Sequence, residues 1–187
     1  MELLPLEVVS AEILARCAEY APALRAVCRA WHVALLPQRA SRGEGLAFLA
    51  LGGHADLLRW VRALCTARGA PWTRLQLDSM LWAAADGGHE ALCVLVKEWG
   101  AGDFDGMLRN AALGGHKALC RLAKEWGAGD YNGMLRGAAY SGHEPLCRLA
   151  KEWGATNFDG MLRSAIASDK EAIRLLAVEW KAAQAVS

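Results

Sequence analysis

Histidine and cysteine recur in this chain as a pair four residues apart, and both residue types bind metals or serve in catalysis. The pair occurs as His89 with Cys93, His116 with Cys120, and His143 with Cys147. Residues i and i+4 share one helix face, so each pair has the arrangement of two zinc ligands. A structural zinc site needs four ligands, whereas each pair supplies two. Free cysteine is also a common core residue, so we predict no metal site.

Motifs with an established catalytic mechanism are missing from the sequence. It contains no HExxH, no phosphate-binding GxxxxGK[ST], no CxxC and no nucleophile elbow. Glycine-rich strings such as GAGDFDG lack the preceding strand of a dinucleotide-binding loop. Cys65 follows a predicted helix end, but no His or Asp is placed to activate it. We therefore predict no catalytic residue and no cofactor; a metal- or thiol-dependent enzyme built on the His/Cys pairs is kept as a minor hypothesis.

The His/Cys pairs belong to a sequence repeat. The phrase GGHEALCVLVKEWGAGDFDGMLRNAAL returns twice, almost unchanged, at an interval of 27 residues. The same interval separates Met80, Met107, Met134 and Met161, and also Trp99, Trp126, Trp153 and Trp180. Self-similarity at a fixed period indicates a solenoid, in which each unit buries its apolar face on its neighbours. We expect each Trp to pack on the following repeat; a ladder that stacks a ligand is the alternative.

Each unit predicts two short helices joined by a glycine turn. Asp105 is the predicted N-cap of one first helix, since its carboxylate can accept free backbone N–H groups. Its counterparts are Asp78, Asn132 and Asp159. Gly114 and Gly115 break that helix. The second helix is predicted from about His116 to Trp126, with Gly127 as the left-handed C′ residue.

Five such helix pairs fit residues 44–187. Their second helices begin near His54, His89, His116, His143 and Lys170. The last pair has no His and carries Arg174 in place of the Cys. Because terminal repeats need a polar outer face, we predict that this pair is a C-terminal cap.

Residues 106–128, GMLRNAALGGHKALCRLAKEWGA, resemble the ankyrin repeat. The family frame TPLHxAAxxGHxxIVxLLLxxGA has the same AA, GH and GA pairs, and the resemblance extends over about residues 44–181. It implies that the His closes the turn through a backbone hydrogen bond and that the Cys fills an aliphatic core position. Ankyrin repeats have about 33 residues, and the residues missing here are those of the β-hairpin finger. We therefore predict an all-α helix-pair solenoid with shortened or absent fingers, in which residues 71–78 (PWTRLQLD) form a finger or an extra turn.

Residues 1–40 lack the repeat and predict a small module of three helices. They resemble the F-box in three elements, in order: Leu4-Pro5-Leu6-Glu7-Val8-Val9, Ile13-Leu14 and Val27-Cys28-Arg29-Ala30-Trp31. F-box proteins are receptor subunits of Skp1–cullin–F-box ubiquitin ligases, so the resemblance implies a Skp1-like adaptor as partner. It assigns the apolar contact to Leu4, Pro5, Leu6, Val8, Val9, Ile13, Leu14, Val27 and Trp31. The alternative is a helical cap on the first repeat.

Ankyrin arrays bind their clients through first helices and fingers, so the resemblance places a client on the first helices. The predicted contact residues are Trp82, Asp86, Arg109, Asn110, Leu113, Arg136, Tyr140 and Arg163. Arg109, Arg136 and Arg163 share one repeat position, and a guanidinium pairs well with carboxylate or phosphate, so an acidic or phosphorylated client would fit. The alternative is that each arginine pairs with a linker aspartate, such as Asp103 or Asp130, or caps a loop carbonyl.

Composition limits the class of protein. The chain has 187 residues with 21 basic and 20 acidic side chains, which argues against a nucleic-acid-binding protein. It has no uncharged apolar stretch of about 18 residues, so we expect no membrane span, and MELLPLEVV has no basic start typical of a signal peptide. Cysteines in apolar helices predict a reducing compartment, cytosol or nucleus.

The preferred hypothesis is a monomeric substrate receptor: the F-box-like segment docks on Skp1 and the solenoid captures a client protein for ubiquitination. Short ankyrin-like arrays with an F-box are similar to host-interaction proteins of large DNA viruses of amoebae, which would place the protein in the host cytosol. The alternative is an ankyrin-type scaffold or competitive inhibitor, with residues 1–40 acting only as a cap.

Overall fold

The computed structural model describes residues 44–67, 69 and 71–186. Over these residues the chain contains ten helices and no strand, which confirms the all-α prediction there. The F-box-like segment, with its nine predicted Skp1-contact residues, lies outside the described residues. The helices are α1 (Glu44–Leu51), α2 (Ala55–Ala67), α3 (Arg74–Asp86), α4 (Glu90–Glu98), α5 (Phe104–Leu113), α6 (Lys117–Glu125), α7 (Tyr131–Ser141), α8 (Glu144–Glu152), α9 (Phe158–Ala167) and α10 (Glu171–Val186).

The helices form five consecutive pairs arranged in two layers. Each odd-numbered helix packs against the even-numbered helix that follows it and against the neighbouring odd-numbered helices. We call α1, α3, α5, α7 and α9 the first-helix layer and the other five the second-helix layer. One continuous core of buried residues extends from Leu49 to Trp180, so each repeat is stabilised mainly by its neighbours.

Small residues allow the first helices to approach closely. The alanine pairs of α3, α5 and α7 are fully buried: Ala84, Ala85, Ala111, Ala112, Ala138 and Ala139. Gly137 of α7 lies so close to α5 that a Cβ at this position would stand 2.6 Å from the main-chain oxygen of Arg109. The sequence-based expectation of close helix–helix approach at the alanine pairs is confirmed.

Glycines form the turns of the repeats before α9, whereas Asp169, with a φ of 55°, takes the left-handed position between α9 and α10. After α6, Gly127 has a φ of 102°, its N–H donates to the Lys124 carbonyl, and the Ala128 N–H donates to the Ala123 carbonyl. This is the Schellman arrangement, and it confirms the prediction for Gly127. Between the two helices of a repeat, Gly115 has a φ of 83°, a conformation that glycine adopts without steric cost.

The predicted N-caps are wrong: the observed caps of α5, α7 and α9 lie two residues before Asp105, Asn132 and Asp159, and the cap of α3 is Thr73, five residues before Asp78. The side chain of Asp103, not Asp105, accepts the Gly106 N–H at 3.0 Å and caps α5. Asp130 and Asn157 cap α7 and α9 through the N–H groups of Gly133 and Gly160. Both acidic residues of the motif Asp-Phe-Asp were compatible with a cap, and the first one has the correct geometry.

Residues 71–78 form an extra helical turn and no finger. Thr73 caps α3 in a reciprocal capping box: the Thr73 N–H donates to Gln76 Oε1 at 2.8 Å, and the Gln76 N–H donates to Thr73 Oγ1 at 3.3 Å. As a result α3 has 13 residues, whereas α5 has 10. Such a box satisfies two free backbone N–H groups at once, which explains why this insertion extends the helix.

The last pair, α9 and α10, exposes both charged and apolar side chains. Arg174 is exposed there, as expected of a cap, but Ile166 and Val178 are 57% and 52% exposed. The role of this pair as a C-terminal cap stays a prediction. None of the described helices combines the length and apolar character needed to cross a membrane.

Candidate protein-binding surface

The first-helix layer exposes one set of repeat positions on a common face. Arg109, Arg136 and Arg163, which we call the arginine row, are exposed on α5, α7 and α9. These helices are neighbours in the layer, and the Cγ of Arg109 lies 3.5 Å from the Cβ position of Gly137, next to Arg136 in sequence. The fold therefore brings the predicted arginines together as a row across adjacent helices.

The arginine row has no ion pair within the described part of the chain. Ion pairs are present elsewhere, for example between Arg148 and Glu144 at 2.6 Å, but none involves Arg109, Arg136 or Arg163. The alternative that these arginines pair with Asp103 or Asp130 is therefore wrong. Both carboxylates accept backbone N–H groups as helix caps.

The residues first taken as N-caps anchor the next repeat instead. Oδ1 of Asp105 accepts the N–H groups of Gly129 and Asp130 at 2.7 and 2.9 Å. Asp78 and Asn132 make the same pair of bonds to the loops that begin at Gly102 and Thr156. We call Asp78, Asp105 and Asn132 the loop-anchoring residues. They hold successive first helices in a fixed relative position, so the exposed row lies on a rigid support.

This anchoring was missed in the sequence, although its signal was present. An Asp or Asn recurs at the anchoring position at the 27-residue interval. That signal was attributed to a local cap because a side chain at the start of a helix usually acts locally. Its real partners lie 24 and 25 residues away, a separation that periodicity alone does not reveal.

Three predicted contact residues also have internal roles. Trp82 lies against Gly106, where a Cβ would come within 2.7 Å of the indole Cε2, and its Nε1 is buried without a hydrogen-bond partner among the described residues. The Asn110 amide donates to the Gly106 carbonyl at 2.8 Å. The main-chain oxygen of Asp86 accepts from His116 Nε2 at 2.8 Å. Trp82 and Asn110 in particular contribute to packing and helix geometry.

Leu113 and Tyr140 flank the arginine row one helical turn further on. Tyr140 is 52% exposed, Leu113 is partly buried, and Ala167 at the same position of α9 is exposed. An apolar row thus lies beside the cationic one. The apolar row varies from repeat to repeat, whereas the arginine row is identical in α5, α7 and α9.

The His/Cys pairs have structural positions. Nε2 of His89 and of His116 lies 2.8 Å from the carbonyl oxygens of Leu51 and Asp86 in the preceding repeat. A carbonyl only accepts, so Nε2 carries the proton in both rings. Each of these two His rings therefore links its own turn to the turn of the preceding repeat.

The paired cysteines are fully buried. Burial raises the pKa of Cys93, Cys120 and Cys147 to about 12, with an added effect of Glu90 on Cys93 and of Glu144 on Cys147. A thiol with such a pKa stays protonated near neutral pH and is a poor nucleophile and a poor metal ligand. Among the described residues no group of three or more His, Cys, Asp or Glu could hold a metal ion.

The second-helix layer is held by an aromatic ladder. Trp126 meets Phe104 edge to face at 5.5 Å between ring centroids, and Lys97 Nζ lies 4.1 Å from the Trp126 ring centroid. The same contacts recur at Trp153 and Trp180, where Lys124 and Lys151 cover the rings. The predicted direction of packing was wrong for these contacts, because each Trp meets the Lys of the preceding repeat. Such contacts explain the Trp periodicity without any ligand.

Comparison with known proteins adds no family assignment. A scan against protein-family models gives no match to this chain, and a search of curated proteins also gives none. The geometry of the first-helix face is therefore the main guide to function.

Proposed function

We propose that the protein is a protein-binding adaptor whose repeat array captures a client on the first-helix face. One observation carries this proposal: along one face, adjacent first helices expose a row of arginines beside a position that changes from repeat to repeat, whereas the buried methionine position does not change. Met107, Met134 and Met161 are fully buried and identical, but the position of Leu113 is occupied by Tyr140 and Ala167 in the next repeats. A surface of this kind suits recognition of an extended partner.

The positions of the candidate catalytic groups also support binding rather than chemistry. The Cys93 thiol is buried and protonated, and the His89 ring is bound to a backbone carbonyl. Both side chains of the pair therefore have a structural role in the fold. The His/Cys enzyme hypothesis receives no support from this arrangement.

We further propose that residues 1–40 dock on a Skp1-like adaptor, so that the client is brought to a ubiquitin ligase. The support comes from the order of F-box-like elements in the sequence, from Leu4-Pro5 to Trp31. The aliphatic residues of these elements, with charged residues such as Glu7 and Arg29 beside them in the sequence, have the composition that such a contact requires.

A direct binding assay between the purified full chain and a Skp1-family adaptor tests this proposal. Calorimetry should show saturable binding that a Leu4→Asp, Pro5→Ala, Trp31→Ala variant loses, with circular dichroism showing an unchanged helix content. An Arg121→Ala variant, altered on the exposed side of α6, should bind as the unaltered chain does. Absence of binding at tens of micromolar by a well-folded protein would refute the ligase-receptor part.

A plain scaffold or competitive inhibitor is the second candidate, and one observation favours it. Phe48 and Leu51 of α1, the helix that directly follows residues 1–43, are 46% and 41% exposed. Exposed apolar side chains at the first helix of an array are the kind of surface that a helical cap covers. If residues 1–40 serve only as this cap, their deletion should cause the array to aggregate.

A further inference from the structure

The side chain one helical turn before each arginine of the row is either neutral or bound to another group, although Asp159 also interacts electrostatically with Arg163. One helical turn before Arg109 stands Asp105, whose Oδ1 accepts two loop N–H groups. One turn before Arg163 stands Asp159, which pairs with Lys181 at 2.5 Å. One turn before Arg136 stands Asn132, which is neutral. Arg136 therefore has the least electrostatic compensation of the three.

The spacing of the row matches an extended peptide. Adjacent packed helices lie about 8–10 Å apart, and α5, α7 and α9 are adjacent in the layer. A polyproline-type chain rises about 3.1 Å per residue, so three residues span about 9 Å. An acidic side chain at every third residue of such a segment would therefore meet one guanidinium per repeat.

The row also favours carboxylate over phosphate. Phosphorylated motifs are usually bound by clusters of arginines around one phosphate. Here each guanidinium stands alone on its own helix, with the next one a full repeat away. A single arginine matches the charge and the two oxygens of one carboxylate.

The row has a defined end and an apolar neighbour. In α3 the same position is Trp82, an uncharged residue packed on Gly106, so the cationic row begins at Arg109. Beside it, Leu113 and the 52% exposed Tyr140 offer apolar contact to the residues between the acids. Over the described helices the row therefore predicts three acidic positions in the client, beginning at Arg109.

We infer that the first-helix face binds an extended acidic protein segment that carries an aspartate or glutamate at every third residue, one for each of Arg109, Arg136 and Arg163. This inference rests on the proposed function and specifies the chemistry of its client. It requires no change in the fold, since the three side chains are already exposed.

Fluorescence anisotropy with the full chain and labelled peptides tests the inference. The probe is a peptide of about ten residues with aspartate at every third position, separated by proline and serine. One comparison peptide has the same composition with its three aspartates adjacent, and another carries phosphoserine in place of aspartate. The variants are Arg136→Glu and, as a matched control with the same charge change, Arg121→Glu on the second-helix layer.

The spaced aspartate peptide should bind best of the three. Arg136→Glu should weaken its binding at least about tenfold, since it removes a charge-assisted bond and places a like charge beside the peptide's aspartate. Arg121→Glu should change binding by about twofold or less, because an exposed distant charge is screened. The thermal midpoint of both variants should stay close to that of the unaltered protein.

Four results would overturn the inference: no binding of the spaced peptide at low salt, equal binding of the spaced and clustered peptides, binding of the phosphopeptide alone, or equal losses in the two variants. The last result would indicate an effect of net charge only. Skp1 binding measured on the same preparations separates this failure from failure of the proposed function, because neither substitution alters residues 1–40.

Discussion

Asp105 and Asp159 occupy the same position in two repeats, yet their carboxylates have different partners. Asp105 anchors the loop of the following repeat through two backbone N–H groups. Asp159, in the last described repeat, pairs with Lys181 of α10 instead. The contrast shows that this carboxylate serves the interface between repeats rather than its own helix.

The repeat formed by α7 and α8 differs from the last repeat, α9 and α10, in the same way. Cys147 is fully buried, whereas Arg174 at the equivalent position is exposed. Lys151 covers the ring of Trp180, whereas Val178 at the Lys position is 52% exposed. Middle and terminal repeats thus share local turns and helix pairs and differ where a neighbour is required. Exchanging residues between equivalent positions therefore separates the stability that comes from local turns and helix pairs from the stability that comes from contact with a neighbouring repeat.

The largest effect is expected from Cys147→Arg. The side chain would place an unpaired guanidinium in the continuous core, where Cys147 is fully buried, and this should lower the free energy of unfolding by about 3–5 kcal/mol. The reverse change, Arg174→Cys, removes only an exposed ion pair with Glu171 and should cost about 0.5 kcal/mol or less. Urea denaturation followed by circular dichroism measures both; equal effects would contradict the neighbour-dependent burial.

The next effect is expected at the alanine pair. Ala139 is fully buried between first helices, whereas Ile166 at the equivalent position of α9 is 57% exposed. Ala139→Ile should overpack the layer and cost about 1–3 kcal/mol. Ile166→Ala should stay within about 0.5 kcal/mol. Thermal unfolding would contradict this account if Ile were tolerated equally at both positions.

Loss of a loop anchor should have a smaller effect. Asp105→Ala leaves the N–H groups of Gly129 and Asp130 without their acceptor and should cost about 1–2 kcal/mol. Asp105→Asn is the matched control, because Asn132 already accepts the equivalent bonds through its Oδ1. Amide exchange at Gly129 and Asp130 should accelerate in the alanine variant alone. Unchanged exchange there would show that the anchor is dispensable.

The smallest effect on stability is expected from substitution of Asp159, and this effect depends on pH. The hydrogen bond and the charge of Lys181, with a further contribution from Arg163, lower the pKa of Asp159 below its ordinary value of 3.8. A lowered pKa in the folded state adds stability that is present above the unfolded pKa and is lost as pH falls through the folded pKa. Asp159→Asn should therefore flatten the acid limb of the stability profile below about pH 4, and added salt should hide the difference. An acid limb identical in both proteins at low salt would contradict the ion pair's role.

The sequence predicted the regular part of the fold because the relevant signals are local. Helix pairs, the turn at Gly115 and the cap at Gly127 follow from glycine placement and apolar spacing within one unit. The role of Asp105 was not predictable in this way, since its partners belong to the next repeat and the spacing between repeats depends on packing. Among the candidate contact residues, Arg109 and Arg136 were correctly placed on an exposed face. The internal position of Trp82 depends on its packing against Gly106 of the next repeat.

The central claim, that the arginine row binds acidic side chains of a client, is tested most directly by a charge exchange. The dissociation constant would be measured for Arg136→Glu and unaltered protein, each with the spaced aspartate peptide and with a peptide whose central aspartate is replaced by lysine. The account predicts that each single exchange weakens binding by at least about tenfold and that the double exchange restores most of it. Additive losses, with the double exchange weakest of all, would contradict a direct contact between Arg136 and the client.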